Sequence, residues 1–321
     1  MELFIAILIF LTVLIFYIHI VFHMKTCSDL QIFEIDEVVS KSKFEDILNM
    51  KQPVVFEFFN ELISNFNESL LYTHPHLDVY IRKCNDDDIM LTPIESAKAA
   101  TLFKSKDFYI SEGNSKFLIG SNRLKDVNGC DGYLRPYMMS SSIYDVITGN
   151  KNATTLLKYD THFRNFFVVT SGRVDIKIMP PVSKELLAHQ DDYEFFLFYS
   201  KVNPWHIQDK YKDQFSRVKH IDVSLEKGQI IYIPPYWYYS MKLAEDSTFI
   251  VSMKYNTVMN EVATIPDKVM YFLQNQNLTY KIAKEKVVKD NQPSMSTEIT
   301  DLTLPADTTA HTLIKDQPII T

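Results

Sequence analysis

Arg173-Val-Asp-Ile-Lys-Ile178 is the stretch on which the fold turns. Its apolar residues, Val174, Ile176 and Ile178, recur at every second position. A strand places alternate side chains on opposite faces, so the spacing predicts a strand with one buried face. The same kind of segment recurs downstream in Phe195-Phe-Leu-Phe-Tyr199, His220 to Leu225, Gln229 to Ile233 and Thr248 to Tyr255, and upstream in Pro53-Val-Val-Phe-Glu-Phe-Phe59. From about residue 107 to 255 the pattern predicts two facing antiparallel sheets, with Val174, Ile176 and Ile178 between them, as in a sandwich or jelly roll. Helices flank this mainly β region. Residues 31–59 include a short amphipathic stretch, residues 61–105 read as mostly helical or looped, and residues 266–289 place Val269, Phe272, Leu273 and Ile282 on one helical face.

Leu3 to Phe22 is twenty residues without a Lys, Arg, Asp or Glu. A helix of that length spans roughly 30 Å, the hydrocarbon thickness of a bilayer. A signal peptide would need a basic start, a shorter apolar core and small residues at its cleavage site; Glu2 and Phe22-His23-Met24-Lys25 supply none of these. The expectation is an uncleaved single-pass anchor with the lipid bilayer as its partner. Lys25, Lys41 and Lys43 follow the span and no Lys or Arg precedes it, which places the C-terminal part on the cytoplasmic side. The sequons at Asn67, Asn152 and Asn277 point the other way, but 17 asparagines produce such matches by chance. The chain thus divides into an anchor (1–24), a domain with an N-terminal helical elaboration (25–262), a C-terminal helix (263–290) and a flexible Thr-, Asp- and Pro-rich tail (291–321).

Composition narrows the function. Among 321 residues, 46% hydrophobic, glycine occurs only 7 times, about 2% against a usual figure of roughly 7%, which disfavours phosphate-cradling loops and collagen-like repeats. A net charge of -7 argues against a nucleic-acid partner. Cys27, Cys84 and Cys130 are few, odd in number and widely spaced, so they read as reduced thiols rather than disulfides or a zinc site. His74-Pro-His76 reads as a surface loop, and Asp86-Asp-Asp88 as a solvated turn lacking the alternating ligands of a calcium loop. Lysine outnumbers arginine 27 to 6, the skew of an A/T-rich genome such as that of a large DNA virus, which brings a virion or host membrane into consideration.

Two motifs stand in order. The first is Lys158-Tyr-Asp-Thr-His-Phe-Arg-Asn-Phe-Phe167, followed by Gly172 and Ile178-Met-Pro-Pro181; the second is Gly228-Gln-Ile-Ile-Tyr-Ile-Pro-Pro-Tyr-Trp-Tyr-Tyr239. Together with Arg135-Pro136 and Ile147-Thr-Gly149 they resemble the cupin-like JmjC domains, over roughly residues 30–260. That resemblance implies a double-stranded β-helix and, for the family's enzymes, Fe(II) and 2-oxoglutarate as cofactors of a hydroxylase or demethylase. The family's H-x-D motif aligns with Lys158 and Asp160, its distal histidine with Tyr239, and its cosubstrate lysine with Val174, while Asn165 keeps the family's N-F element.

A protonated lysine has no lone pair to offer a metal. The resemblance therefore implies a degenerate pocket of Lys158, Asp160, His162, Asn165, Val174 and Tyr239, with no metal and no catalytic residue. Lys158 and Asp160 would form a salt bridge in the vacated site. A rearranged site using Asp160 and His162, with Tyr239 or His206 as third ligand, is the alternative. Trp205, Trp237 and the neighbouring tyrosines read as sandwich core. The leading expectation is a membrane-anchored, inactive cupin-like protein that binds or scaffolds a protein partner. Against it stand an Fe(II)/2-oxoglutarate hydroxylase with a rearranged site and a purely structural envelope protein.

Overall fold

Arg164–Ser171 is buried along almost its whole length, a run of Phe166, Phe167, Val168 and Val169 with apolar neighbours on both faces. That burial on two sides sets the architecture. The computed structural model describes residues 1–37, 39–84 and 89–285, with side chains through residue 276. The acidic run at Asp86–Asp88, the Ile282 side chain and the tail from Asn291 lie outside the described residues.

The chain opens with α1 (Glu2–Met24), β1 (Phe33–Ile35), α2 (Lys41–Asn49), β2 (Val54–Glu57), α3 (Ser69–Thr73), β3 (Asp78–Lys83), β4 (Thr92–Glu95) and α4 (Ser96–Leu102). It continues through β5 (Tyr109–Ser111), α5 (Ser115–Gly120), α6 (Leu124–Cys130), β6 (Met139–Gly149), β7 (Lys158–Tyr159), β8 (Arg164–Ser171) and β9 (Arg173–Met179). The last part holds β10 (His189–Asp192), β11 (Leu197–Ser200), α7 (Lys212–Phe215), β12 (Ile221–Glu226), β13 (Gln229–Tyr232), β14 (Tyr238–Leu243), β15 (Phe249–Thr257), α8 (Val258–Ala263) and α9 (Ile265–Glu285).

Two sheets face each other, a nine-stranded one ordered β1-β2-β13-β8-β15-β6-β5-β3-β4 and a six-stranded one ordered β10-β11-β7-β14-β9-β12. Pairing is antiparallel apart from β1 with β2. Val174, Ile176 and Ile178 of β9 pack between the sheets with Phe167, Val169, Ile231 and Ile250. The mainly β, jelly-roll fold with flanking helices is as the alternation predicts. The larger sheet buries its outer face too, because Phe166 and Val168 point away from β9 and meet Phe44 and Leu48 of α2 and Phe117 of α5. A third cluster, with Tyr159, Phe198 and Tyr238, lies under the β10–β11 hairpin. The β8–β9 turn needs Gly172: its φ is +71°, and a Cβ there would stand 2.6 Å from the Thr248 hydroxyl.

Several expectations need correction. Residues 61–105 contain β3 and β4, which extend the large sheet; Val79 and Ile81 alternate as a strand should, but between Asp78, Arg82 and Lys83 the pattern is too short to read. Residue 107 onward is not a continuous strand series, since α5 and α6 intervene before β6. Phe195-Phe196 is turn, not strand, with Phe196 at φ 51°, so β11 begins at Leu197. Helix α9 forms where the periodicity predicts one, and Val269, Phe272 and Leu273 on it are exposed. Trp237 is core, but Trp205 is half-buried at the sheet surface, its indole N–H on the Ser240 hydroxyl at 2.9 Å and Lys242 over its ring.

Helix α1, 23 residues with a mean hydropathy of 2.9 over an 18-residue window, is long and apolar enough to cross a membrane. Its foot is fixed to the domain. The Lys51 ammonium donates to the carbonyls of Phe22, His23 (2.9 Å) and Lys25 (2.7 Å), and the Asn260 amide lies 2.9 Å from the His23 ring. The last carbonyls of a helix have no partner within it, so this lysine acts as a cap supplied from across the fold. Burial, with Arg164 and Lys25 nearby, lowers the Lys51 pKa to about 8.

Candidate functional site: a layer of paired charges between the sheets

Strand alternation that builds the inter-sheet core also builds the site. On β14, Tyr239 shares the inward face of Met241 and Leu243, and its Cα partner on β7 is Lys158. Lys158 and Asp160 are two residues apart and so point the same way, while Tyr159 between them joins the hairpin cluster. Across the gap, the large sheet repeats the rule. Ile110 is followed two residues later by Glu112, Ile147 is preceded by Asp145, and Ile250 leads through Ser252 to Lys254. The core is thus apolar at one end and charged at the other.

The charges pair across the sheets. Lys158 donates to Glu112, with the two side chains 15% and 7% exposed. Lys254 donates to Asp160 at 2.8 Å, and the Tyr239 hydroxyl donates to the other oxygen of Asp160 at 2.6 Å. Asp145 accepts from the backbone N–H groups of Gly113 (2.8 Å) and Asn114 (2.5 Å). The expected Lys158–Asp160 bridge is therefore not the arrangement: each of the two takes its partner from the opposite sheet, because neighbours on one strand face point in parallel rather than at each other.

Burial raises the Asp160 carboxyl, but Lys254, His162 and Lys158 outweigh it and hold the group well below the usual range. Glu112 is also lowered, as Lys158 and Arg82 overcome its burial. Burial lowers Lys158, yet Glu112 and Asp160 leave it above its ordinary value. Burial and the Asp160 charge push the Tyr239 phenol well up. At neutral pH Lys158 is a protonated ammonium, Tyr239 a protonated phenol, and Asp160 and Glu112 are ionised, while burial raises the Asp145 carboxyl above its ordinary value.

Of the remaining expected site residues, Asn165 points inward and donates to the Ile233 carbonyl at 3.2 Å. Val174 is ordinary core, leaving no cation at that position. His162 lies in the loop after β7, its Nδ1 3.8 Å from Asp160 and otherwise unpartnered; burial and Lys254 lower its pKa to about 4, so it is neutral. His206 is not part of the site: it is exposed, on a separate cleft with Thr154 and Lys201. Sequence reasoning missed Glu112, Asp145 and Lys254. The signal was a polar residue continuing an apolar alternation, as in Ile250-x-Ser252-x-Lys254.

Residues 125–261 match the family model described as a cupin-like domain. The match takes in Lys158, Asp160, His162, Tyr239 and Lys254, but Glu112 lies before it. A search of the curated proteins gives no match. The iron of cupin-like oxygenases needs converging imidazole and carboxylate donors with open positions beside them. Here the positions hold an ammonium, which has no lone pair, and a phenol that keeps its proton and donates it to Asp160, and the one carboxylate has both oxygens engaged. No group of three His, Cys, Asp or Glu side chains among the described residues could hold a metal ion. These donors do not suit iron.

Proposed function

We propose that this chain is a membrane-anchored cupin-like protein whose inter-sheet site carries no metal and no oxygenase chemistry, and that it works by binding or scaffolding a protein partner. The observation that carries the reading is the crossed pairing of Lys158 with Glu112 and Lys254 with Asp160, sealed by the Tyr239 hydroxyl. Such a layer is costly to bury and repays that cost only when each charge is matched. Placing a dication among Lys158, Lys254 and Asp160 would break that match. The anchor part of the reading is supported by the length and hydropathy of α1 and by the exposure of its side chains.

The test is metal analysis and 2-oxoglutarate turnover on the full chain purified without oxygen in detergent. The expected result is no stoichiometric iron and no turnover. Stoichiometric Fe(II), lost on His162→Ala, would overturn the proposal in favour of a hydroxylase with a rearranged site, a reading for which the unpartnered Nδ1 of His162 beside Asp160 is the motive.

A further inference from the structure

The foot of α1 stands beside apolar side chains that nothing among the described residues covers. A groove of about 230 Å³ has Phe22 of α1, Tyr137, Met138, Phe163, and Val258 and Met259 of α8 in its lining, alongside the polar Glu45, Asn49 and Asn260. Tyr137 and Met138 are 62% and 72% exposed. Met138 also has a φ of 56°, in the left-handed region that L side chains adopt at a cost. Strained backbone that holds two large apolar side chains out of the fold gains nothing in water. It gains if those side chains leave water by another route.

The geometry supplies the route. Lys51 fixes the last carbonyls of α1, Asn260 and Tyr236 hold the His23 ring, and α1 packs on α8. Tyr137, Met138 and Val258 therefore keep a fixed place beside the last two turns of α1, where His19 and Phe22 line the same groove. Whatever medium surrounds those turns also reaches the groove. For a helix that crosses a bilayer, that medium is the boundary between acyl chains and headgroups, where Tyr side chains with an apolar body and a polar tip are favoured.

We propose that the Tyr137–Met138 tip and Val258 form a lipid-facing collar that enters the acyl–headgroup boundary of the bilayer crossed by α1, with the groove beneath taking acyl chain. This rests on the reading of α1 as a membrane span. Because α1 and the collar are rigidly joined, the domain then sits against the membrane in one orientation rather than swinging on a tether.

The experiment places a photoreactive benzophenone amino acid at Met138, at Phe10 in the middle of α1, or at Asp246, in the full chain reconstituted into phosphatidylcholine vesicles. Asp246 follows β14, which starts two residues after the His23-contacting Tyr236 and runs away from it. Lipid adducts at position 138 comparable with those at position 10, and severalfold above those at position 246, are expected. Adducts at position 10 without adducts at position 138 overturn the collar while leaving the anchor in place. No lipid adduct at position 10 overturns the anchor, and the collar with it. Adducts at 138 to a second copy of the chain, rather than to lipid, assign the groove to self-association and overturn the proposal.

Discussion

Glu112→Gln removes the anion opposite Lys158 while keeping the shape of the side chain. With 15% of the Lys158 side chain and 7% of that of Glu112 exposed, the remaining ammonium has little access to water. Removing one partner of a buried ion pair costs roughly 3–5 kcal/mol, and Asp160 is near enough to retain part of the cation's compensation, which favours the lower figure. A loss of about 3 kcal/mol corresponds to a fall in Tm of about 5 °C for a chain with this much ordered structure. The assay is thermal unfolding of the full chain in detergent for the parent, Glu112→Gln, Lys158→Met and the double variant. The double should be more stable than the sum of the singles by about 2 kcal/mol, since removing both charges leaves neither stranded. Glu112→Gln combined with Lys254→Met should come closer to additivity, because Lys254 belongs to Asp160. Additive losses for Lys158 and Glu112, or a Glu112→Gln melt within about 1 °C of the parent, would refute the crossed pairing.

Ile176→Asp should cost several kcal/mol by burying an unpaired carboxylate at a position 1% exposed; a melt like the parent's would show the β9 register to be wrong. His162 is neutral in the fold because burial lowers its pKa from 6.5 to about 4. The unfolded chain then binds the extra proton, so stability is complete above pH 6.5 and falls by about 3 kcal/mol as pH drops from there towards 4. His162→Gln should make that pH profile of Tm shallower, and a parent profile level from pH 7 to 5 would contradict it. Deleting residues 1–24 should move the protein from the carbonate-resistant pellet to the supernatant; retention in the pellet would sink the anchor reading. Lys51→Met should leave three backbone carbonyls without their shared donor and speed proteolysis after Lys25, and unchanged cleavage would argue against the cap.

Strands whose two faces differ were legible from the chain alone. Val174, Ile176 and Ile178 alternate with charged residues, and they lie in the core at the predicted parity. Short edge strands were not: Asp78–Lys83 alternates for only a few residues, and its pairing with β5 is a matter of tertiary contact rather than local pattern. For the site, the identities at Lys158, Asp160 and Tyr239 could be read, but their partners could not. Glu112 is 46 residues from Lys158, and Lys254 is 94 from Asp160. Only the facing of two sheets brings them together, and neither hydropathy nor spacing encodes which inward residue meets which. The salt bridge expected from nearness in sequence failed for that reason.

Glu112 stands before residue 125, where the cupin-like match starts, and Lys158 within it. The piece of chain that resembles the cupin-like domain is thus smaller than the piece whose charges cancel. Excising residues 125–261 would strand a cation between two sheets, and it would also strip β6 of its β5 neighbour. A recombination event, or an engineer, moving this domain to another chain would have to carry β5 and Glu112 along or replace Lys158 at the same time. The two stretches are bound to change together, as a lock is to its key, although the cupin-like match takes in only one of them.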